Sequence, residues 1–237
     1  MNDGYTGRVR PGGPSDVRRL AAAEIRKASV GPMDNAAYLV TCRRSGAQLL
    51  VDAPADPDRL LALVREGSAA GRLDTVVVTH RHGDHLGALA PLVALTGAAV
   101  AAGEGDADAV EQAAGCAVGT RLAHGDAITV GQLVLDVVAL RGHTPGSVAL
   151  ALTEPPARDA PGAVPGRVHL FTGDSLFPGG VGATGGDAAR FGRLLGDVTS
   201  RVFDRYRDDT WVYPGHGDDT TLGAQRPALP QWAARGW

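Results

Sequence analysis

The run Thr79-His80-Arg81-His82-Gly83-Asp84-His85, directly after Val76-Val77-Val78, is the feature that most restricts this chain. Its three histidines and one aspartate form an H-x-H-x-D-H pattern. Val76–Val78 is a continuous apolar run, as expected of a strand covered on both faces. A loop leaving such a strand end can aim alternate side chains into one cavity, which a helix face cannot do at this spacing. Imidazoles with a carboxylate suit Zn²⁺ or a borderline ion such as Fe²⁺ or Mn²⁺. The plainer reading is a polar turn carrying exposed histidines, and the density of ligand types argues against it.

Three further segments repeat the layout of apolar strand, small residues, then a ligand type. Leu135–Leu140 leads into Gly142-His143-Thr144-Pro145-Gly146-Ser147. Val168–Thr172 leads into Gly173-Asp174-Ser175, and Trp211–Tyr213 leads into Pro214-Gly215-His216-Gly217. Functional loops gather at the carboxyl ends of strands in open sheets, so the four segments are expected to converge there. Taken singly, a His or Asp in a glycine turn is more often structural. In this order after the first motif, the three gain weight.

Strand-like runs are also expected at Tyr38–Thr41, Gln48–Val51, Ala98–Ala101 and Val148–Leu152, and helices near Asp58–Glu66, Ala88–Leu95 and Phe191–Tyr206. The proline-rich stretch Glu154–Arg167 reads as a surface loop. Residues Met1 to about Asp16, rich in Gly and Pro, read as a flexible lead-in, and 17–237 as one mixed α/β domain with helix-covered sheets. At 237 residues the chain can bury a substantial core. A net charge of −3 without a Lys/Arg cluster argues against binding nucleic acid. The apolar stretch Leu86–Ala102 is broken by Pro91 and Gly97, so no membrane span is expected. No apolar signal-peptide core follows Met1, which suggests a cytoplasmic protein. Cys42 and Cys116 are too few for a disulfide framework. Lys27 is the only lysine and is given no functional weight.

The succession H-x-H-x-D-H, G-H-T-P-G-S, T-G-D-S-L-F and P-G-H-G resembles the metallo-β-lactamase superfamily, and within it the glyoxalase-II-like (hydroxyacylglutathione hydrolase-like) enzymes. The resemblance covers roughly Met33 to His216. It implies a four-layer αβ/βα sandwich with a dinuclear metal site between two sheets. It further implies that His80, His82 and His143 bind one divalent ion, that Asp84, His85 and His216 bind the other, and that Asp174 bridges them. Zinc is the first expectation, with iron or manganese compatible with the bridging carboxylate. The implied reaction is metal-dependent hydrolysis of a small thioester or ester, with Asp84 orienting the nucleophile and relaying its proton. Aspartate at 174 resembles the thioester hydrolases, lactonases and phosphodiesterases of the superfamily rather than its antibiotic-degrading branches. A mononuclear iron persulfide dioxygenase, using His80, His143 and Asp174, is the main alternative, and a lactonase another.

Departures from the family pattern are also visible. The 21 residues after His216 are too few for the helical glutathione-binding region of glyoxalase II enzymes, so glutathione specificity is not expected to carry over. Within Gly179–Gly186 a formal G-x-G-x-x-G lacks the βαβ context of a dinucleotide site. This loop reads either as a flexible lead into a helix capped by Asp187 or as a wall of the substrate pocket. Ser147 and Ser175 read as supporting hydrogen-bonders or turn residues, His124 as a turn residue, His169 as core or a ligand's partner, Asp34-Asn35 as a turn rather than an approach to the site, and Asp218-Asp219 as helix caps rather than supports of His216. Trp232 and Trp237 read as core or, second, as lining a substrate or subunit surface.

Overall fold

The computed structural model describes residues 4–156 and 163–236. The first sheet takes seven strands in chain order: β1 (Asp16–Arg19), β2 (Ala23–Val30), β3 (Asn35–Cys42), β4 (Gln48–Val51), β5 (Thr75–Val78), β6 (Ala99–Gly103) and β7 (Thr120–Leu122). Pairing is antiparallel from β1 to β4 and parallel from β4 to β7. The chain continues through β8 (Ala127–Val130), β9 (Leu133–Ala139), β10 (Val148–Thr153) and β11 (Val168–Gly173). A two-stranded ribbon, β12 (Leu176–Phe177) with β13 (Gly180–Val181), precedes β14 (Trp211–Pro214) and β15 (Thr220–Thr221). The second sheet has the order β15-β14-β11-β10-β9-β8, and within it β11 and β14 run parallel.

Apolar side chains sort into three buried layers, and these define the architecture. Tyr38, Val51 and Val77 from the first sheet meet Leu135, Leu150, Phe171 and Tyr213 from the second. Val76 and Val78 point the other way, onto α1 (Pro57–Gly67), α2 (Leu89–Thr96) and α3 (Ala107–Ala114). Ala149 and Ala151 likewise face α4 (Ala188–Val198), the π-helical turn Thr199–Phe203, and Trp232. Alternate residues of β5 and β10 thus enter different cores, which is why these strands are apolar without alternation. Helices, sheet, sheet, helices is the expected four-layer sandwich. No helix among the described residues is long and apolar enough to cross a membrane.

Several elements differ from the sequence reading. The lead-in is anchored: Tyr5 is buried against Trp211 and Tyr213, with ring centroids 6.0 and 6.2 Å away. β1 and β2 went unread because Arg18 and Lys27, which look like surface residues, are interior. The helix expected over Phe191–Tyr206 starts at Ala188, where Asp187 Oδ1 accepts the amides of Ala189 (2.8 Å) and Arg190 (3.1 Å). It gives way to the π-turn after Val198. Two short helices close the described chain, α5 (Leu222–Gln225) and α6 (Leu229–Arg235). Thr221 caps α5, so the caps expected of Asp218 and Asp219 are not formed. Trp232 is buried beside Phe203, as expected, whereas Trp237 lies outside the described residues.

Candidate metal centre

All seven expected ligands meet at the carboxyl ends of the strands that precede them. His80 follows β5, His82 to His85 occupy the next turn, His143 follows β9, Asp174 follows β11, and His216 follows β14. His82 Nδ1 lies 3.1 Å from His80 Nε2 and 3.0 Å from His143 Nε2. His85 Nε2 and His216 Nε2 are 3.1 Å apart, and Asp84 Oδ2 is 3.5 and 3.3 Å from them. Asp174 lies between the two groups. Its Oδ1 is 3.3 Å from His85 Nε2, and its Oδ2 is 3.4 Å from His216 Nε2 and 3.7 Å from His143 Nε2. Ligands held tetrahedrally at 2.0–2.1 Å stand about 3.3 Å apart, so these separations fit two adjacent small cations.

Hydrogen bonds behind the rings decide which nitrogens face inward. His143 Nδ1 donates to the Ala183 carbonyl (2.7 Å), His216 Nδ1 to the Met33 carbonyl (2.9 Å), and His85 Nδ1 to Asp52 Oδ2 (2.9 Å). Each partner can only accept, so the proton of the neutral ring sits on Nδ1 and its Nε2 presents a lone pair to the centre. The Thr79 hydroxyl donates to Asp52 Oδ2 (2.8 Å), and its oxygen takes the His80 Nδ1 proton at 3.1 Å. Four imidazoles therefore aim Nε2 lone pairs into one pocket, and His82 turns Nδ1 toward it. Asp174 Oδ1 is buried there without a hydrogen-bond partner. Converging lone pairs and an unpartnered carboxylate oxygen are what bound cations satisfy.

Electrostatics point the same way. Burial holds His80 well below the ordinary histidine value, helped by the adjacent imidazoles, and burial also lowers His143. Burial works against the charged form of Asp174 too, but His216 and His85 prevail and hold it far below the usual carboxylate range. His85 resists burial because Asp52 and Asp174 favour its charged form, pushing it up to about 10. Asp52 and Asp174 thus favour positive charge at the centre, and a bound cation would supply it in place of the His85 proton.

Close packing explains several glycines. A side chain at Gly215 would strike Asp174 Oδ1 and come within 2.8 Å of His85 Cε1. One at Gly182 would strike the Asp174 carbonyl. The Gly179–Gly186 loop thus passes directly over the centre and delivers the Ala183 carbonyl to His143. Sequence reasoning missed that role and the role of Asp52, and set that of Asn35 second. Asp52, in the left-handed region at φ 61°, follows β4 and anchors His85. Asn35, for which a turn is the first reading and an approach to the site the second, begins β3 and donates Nδ2 to Asp84 Oδ2 (2.9 Å) and to the Asp84 carbonyl (2.9 Å). The turn reading does describe Asp34, at φ 55°. His124 is exposed in a turn, and His169 is buried outside the centre.

Two facing sheets with a histidine–aspartate cluster at their strand ends define a class of metalloproteins. Residues 30–156 match the family model of the metallo-beta-lactamase superfamily, and the chain belongs to it. A hydroxyacylglutathione hydrolase of Polaromonas sp. is 34% identical over 183 residues, covering 76% of this chain and 60% of that relative. The chain therefore spans less than two thirds of that relative's length. ETHE1 from Myxococcus xanthus superposes with a TM-score of 0.71 at 29% identity, over 89% of this chain and 84% of that one. TTHA1623, solved in a di-iron-bound form, gives 0.65 at 30% identity, over 84% and 96% of the two chains.

Proposed function

We propose that the protein is a dinuclear metal-dependent hydrolase that cleaves a small thioester or ester. In this reading His80, His82 and His143 hold one ion, Asp84, His85 and His216 hold the other, and Asp174 bridges them. The observation that carries it is the set of inward Nε2 lone pairs, each fixed by a backbone, carboxylate or hydroxyl partner behind the ring. The name of the Polaromonas relative supports a thioester as the substrate class. Zinc is the first choice of metal, and the di-iron form of TTHA1623 keeps iron in view. Residues 17–237 act as one functional unit, on a small molecule, in the cytoplasm.

Two divalent ions, when bound, would supply a hydroxide nucleophile near neutral pH and Lewis-acid stabilisation of the developing oxyanion. Asp84, 27% exposed and fixed by Asn35, is the ligand carboxylate most open to substrate, so it orients the nucleophile and accepts its proton. Asp52 and the Ala183 and Met33 carbonyls hold the Nδ1 side of His85, His143 and His216, so that Nε2 of each ring is aimed at the centre. Ser175 is buried and Ser147 Oγ is engaged with Thr144 (2.5 Å), so neither serves as a covalent nucleophile. A lactone would be opened by the same steps.

The single-iron reading, a persulfide dioxygenase on His80, His143 and Asp174, gives no cation to the neighbouring cluster of Asp84, His85 and His216, whose ligand atoms lie 3.1–3.5 Å apart. That cluster favours two ions. Hydrolysis of a generic thioester by protein stripped with chelator, then reloaded with zinc, iron or manganese, tests the proposal. Activity should vanish and return with metal, and His82→Ala and Asp174→Ala should nearly abolish it. Folded variants with full activity would overturn it.

A further inference from the structure

The only lysine in the chain lies at the middle of β2 with a fully buried side chain. Lys27 Nζ donates to three acceptors: the Gly7 carbonyl (2.8 Å), the Gly217 carbonyl (2.6 Å) and Asp219 Oδ1 (2.6 Å). Three acceptors match the three protons of an ammonium. Asp219 is equally buried, and its Oδ2 accepts from Tyr5 Oη (2.7 Å) and Trp211 Nε1 (2.9 Å). We propose that Lys27, fixed by Asp219, is a positioning residue for His216 and so for the ion that His216 would hold. The inference rests on the reading of His216 as a ligand.

The turn Pro214-Gly215-His216-Gly217 has two glycines and little side chain of its own to pack, yet it must place one imidazole to within tenths of an ångström. Its backbone is instead held peptide by peptide. Tyr38 Oη donates to the Pro214 carbonyl (2.6 Å), the Ala36 amide to the Gly215 carbonyl (2.8 Å), and Lys27 to the Gly217 carbonyl. The Gly217 amide completes the set by donating to the Asp34 carbonyl (3.3 Å). Lys27 grips the turn after His216, as Tyr38 grips it before. Stability alone is a weak reason for this arrangement, because well-packed apolar residues replace buried ion pairs at little or no cost. A compact ammonium suits a three-acceptor pocket that a planar guanidinium would not fit, in a chain whose other basic residues are all arginine.

The test is Co²⁺ titration of metal-free protein, followed by its d–d absorption and by metal content after dialysis. Wild type should bind two ions, and His216→Ala should lose the tight second one. Lys27→Met should bind the first ion as wild type does and the second roughly 10- to 100-fold more weakly. Lys27→Met/Asp219→Asn leaves no unpaired buried charge, so it serves if the single variant does not fold, and the same loss is expected. Folded Lys27 variants that hold both ions as tightly as wild type would overturn the positioning role and leave the site reading intact. If His216→Ala binds two ions as wild type does, His216 is no ligand, and both the site reading and this inference fall.

Discussion

Asp52 Oδ2 and His85 Nδ1 meet at 2.9 Å, both side chains buried, while Asp52 Oδ1 accepts the Thr79 amide at 2.7 Å. One carboxylate thus ties the end of β4 to the first residue after β5 and to a histidine of the centre. It holds a left-handed backbone conformation that non-glycine residues rarely adopt, and such conformations persist where the surroundings enforce them. Asp52→Ala should weaken metal binding by roughly 10- to 100-fold, read by titration in metal-buffered solution. Unchanged affinity would mean that packing alone orients His85.

Asn35 offers a cleaner separation of binding from chemistry, because its amide holds Asp84 from behind. Asn35→Ala should retain metal and lower kcat by roughly tenfold with little change in KM, since the proton acceptor loses its orientation. Steady-state kinetics on metal-loaded protein would show it. An unchanged kcat would remove Asp84 orientation from the account.

The glycine-rich loop gives a contrast within one segment. Gly182→Ala drives a methyl into the Asp174 carbonyl, so it should displace Ala183 from His143 and cost metal as well as stability. Gly185, at φ 68° with only the end of the Arg190 side chain nearby, should lose about 1–2 kcal/mol of stability to backbone strain as alanine and keep its metal. Thermal melts and metal analysis on the two variants distinguish the positions. Equal behaviour would place the loop's importance in its flexibility instead.

His169 sets a pH dependence apart from the metal. It is fully buried, receives the Tyr213 hydroxyl at Nδ1 (2.8 Å) and donates Nε2 to Glu154 (3.0 Å). Burial, aided by Arg18 and Arg167 and opposed by Glu154, lowers it from 6.5 to about 4. Below pH 6.5 the unfolded chain takes up a proton that the folded chain refuses until about pH 4. The contribution is therefore full above pH 6.5 and lost as pH falls to 4, amounting to about 3 kcal/mol. Denaturant unfolding of chelator-stripped protein at pH 7.5 and 4.5 should show a shallower pH slope for His169→Gln than for wild type. Parallel slopes would contradict the assignment.

The ligand types were legible in the sequence because each group of them follows an apolar strand within a few residues, where both chain direction and burial are readable. Their supports were not. The Ala183 and Met33 carbonyls belong to the backbone and leave no trace in residue identity. Asp52 follows the apolar run Gln48–Val51 in the same layout as the other sites, but a lone aspartate after a strand is too common a pattern to select. β2 stayed hidden because Lys27 reads as a surface residue until Asp219, far along the chain, is placed beside it. The helix-cap reading of Asp218 and Asp219 failed for the same reason. Asp219 is taken up by Lys27, Tyr5 and Trp211, and Asp218 pairs with Arg8 at 3.3 Å on the surface.

Metal content per chain, measured by inductively coupled plasma mass spectrometry on protein purified without added metal, tests the central claim most directly. Close to two ions per chain, as zinc or as a zinc, iron and manganese mixture, is the predicted result. Close to one iron and little else would contradict the dinuclear hydrolase and favour oxygen-dependent chemistry at His80, His143 and Asp174.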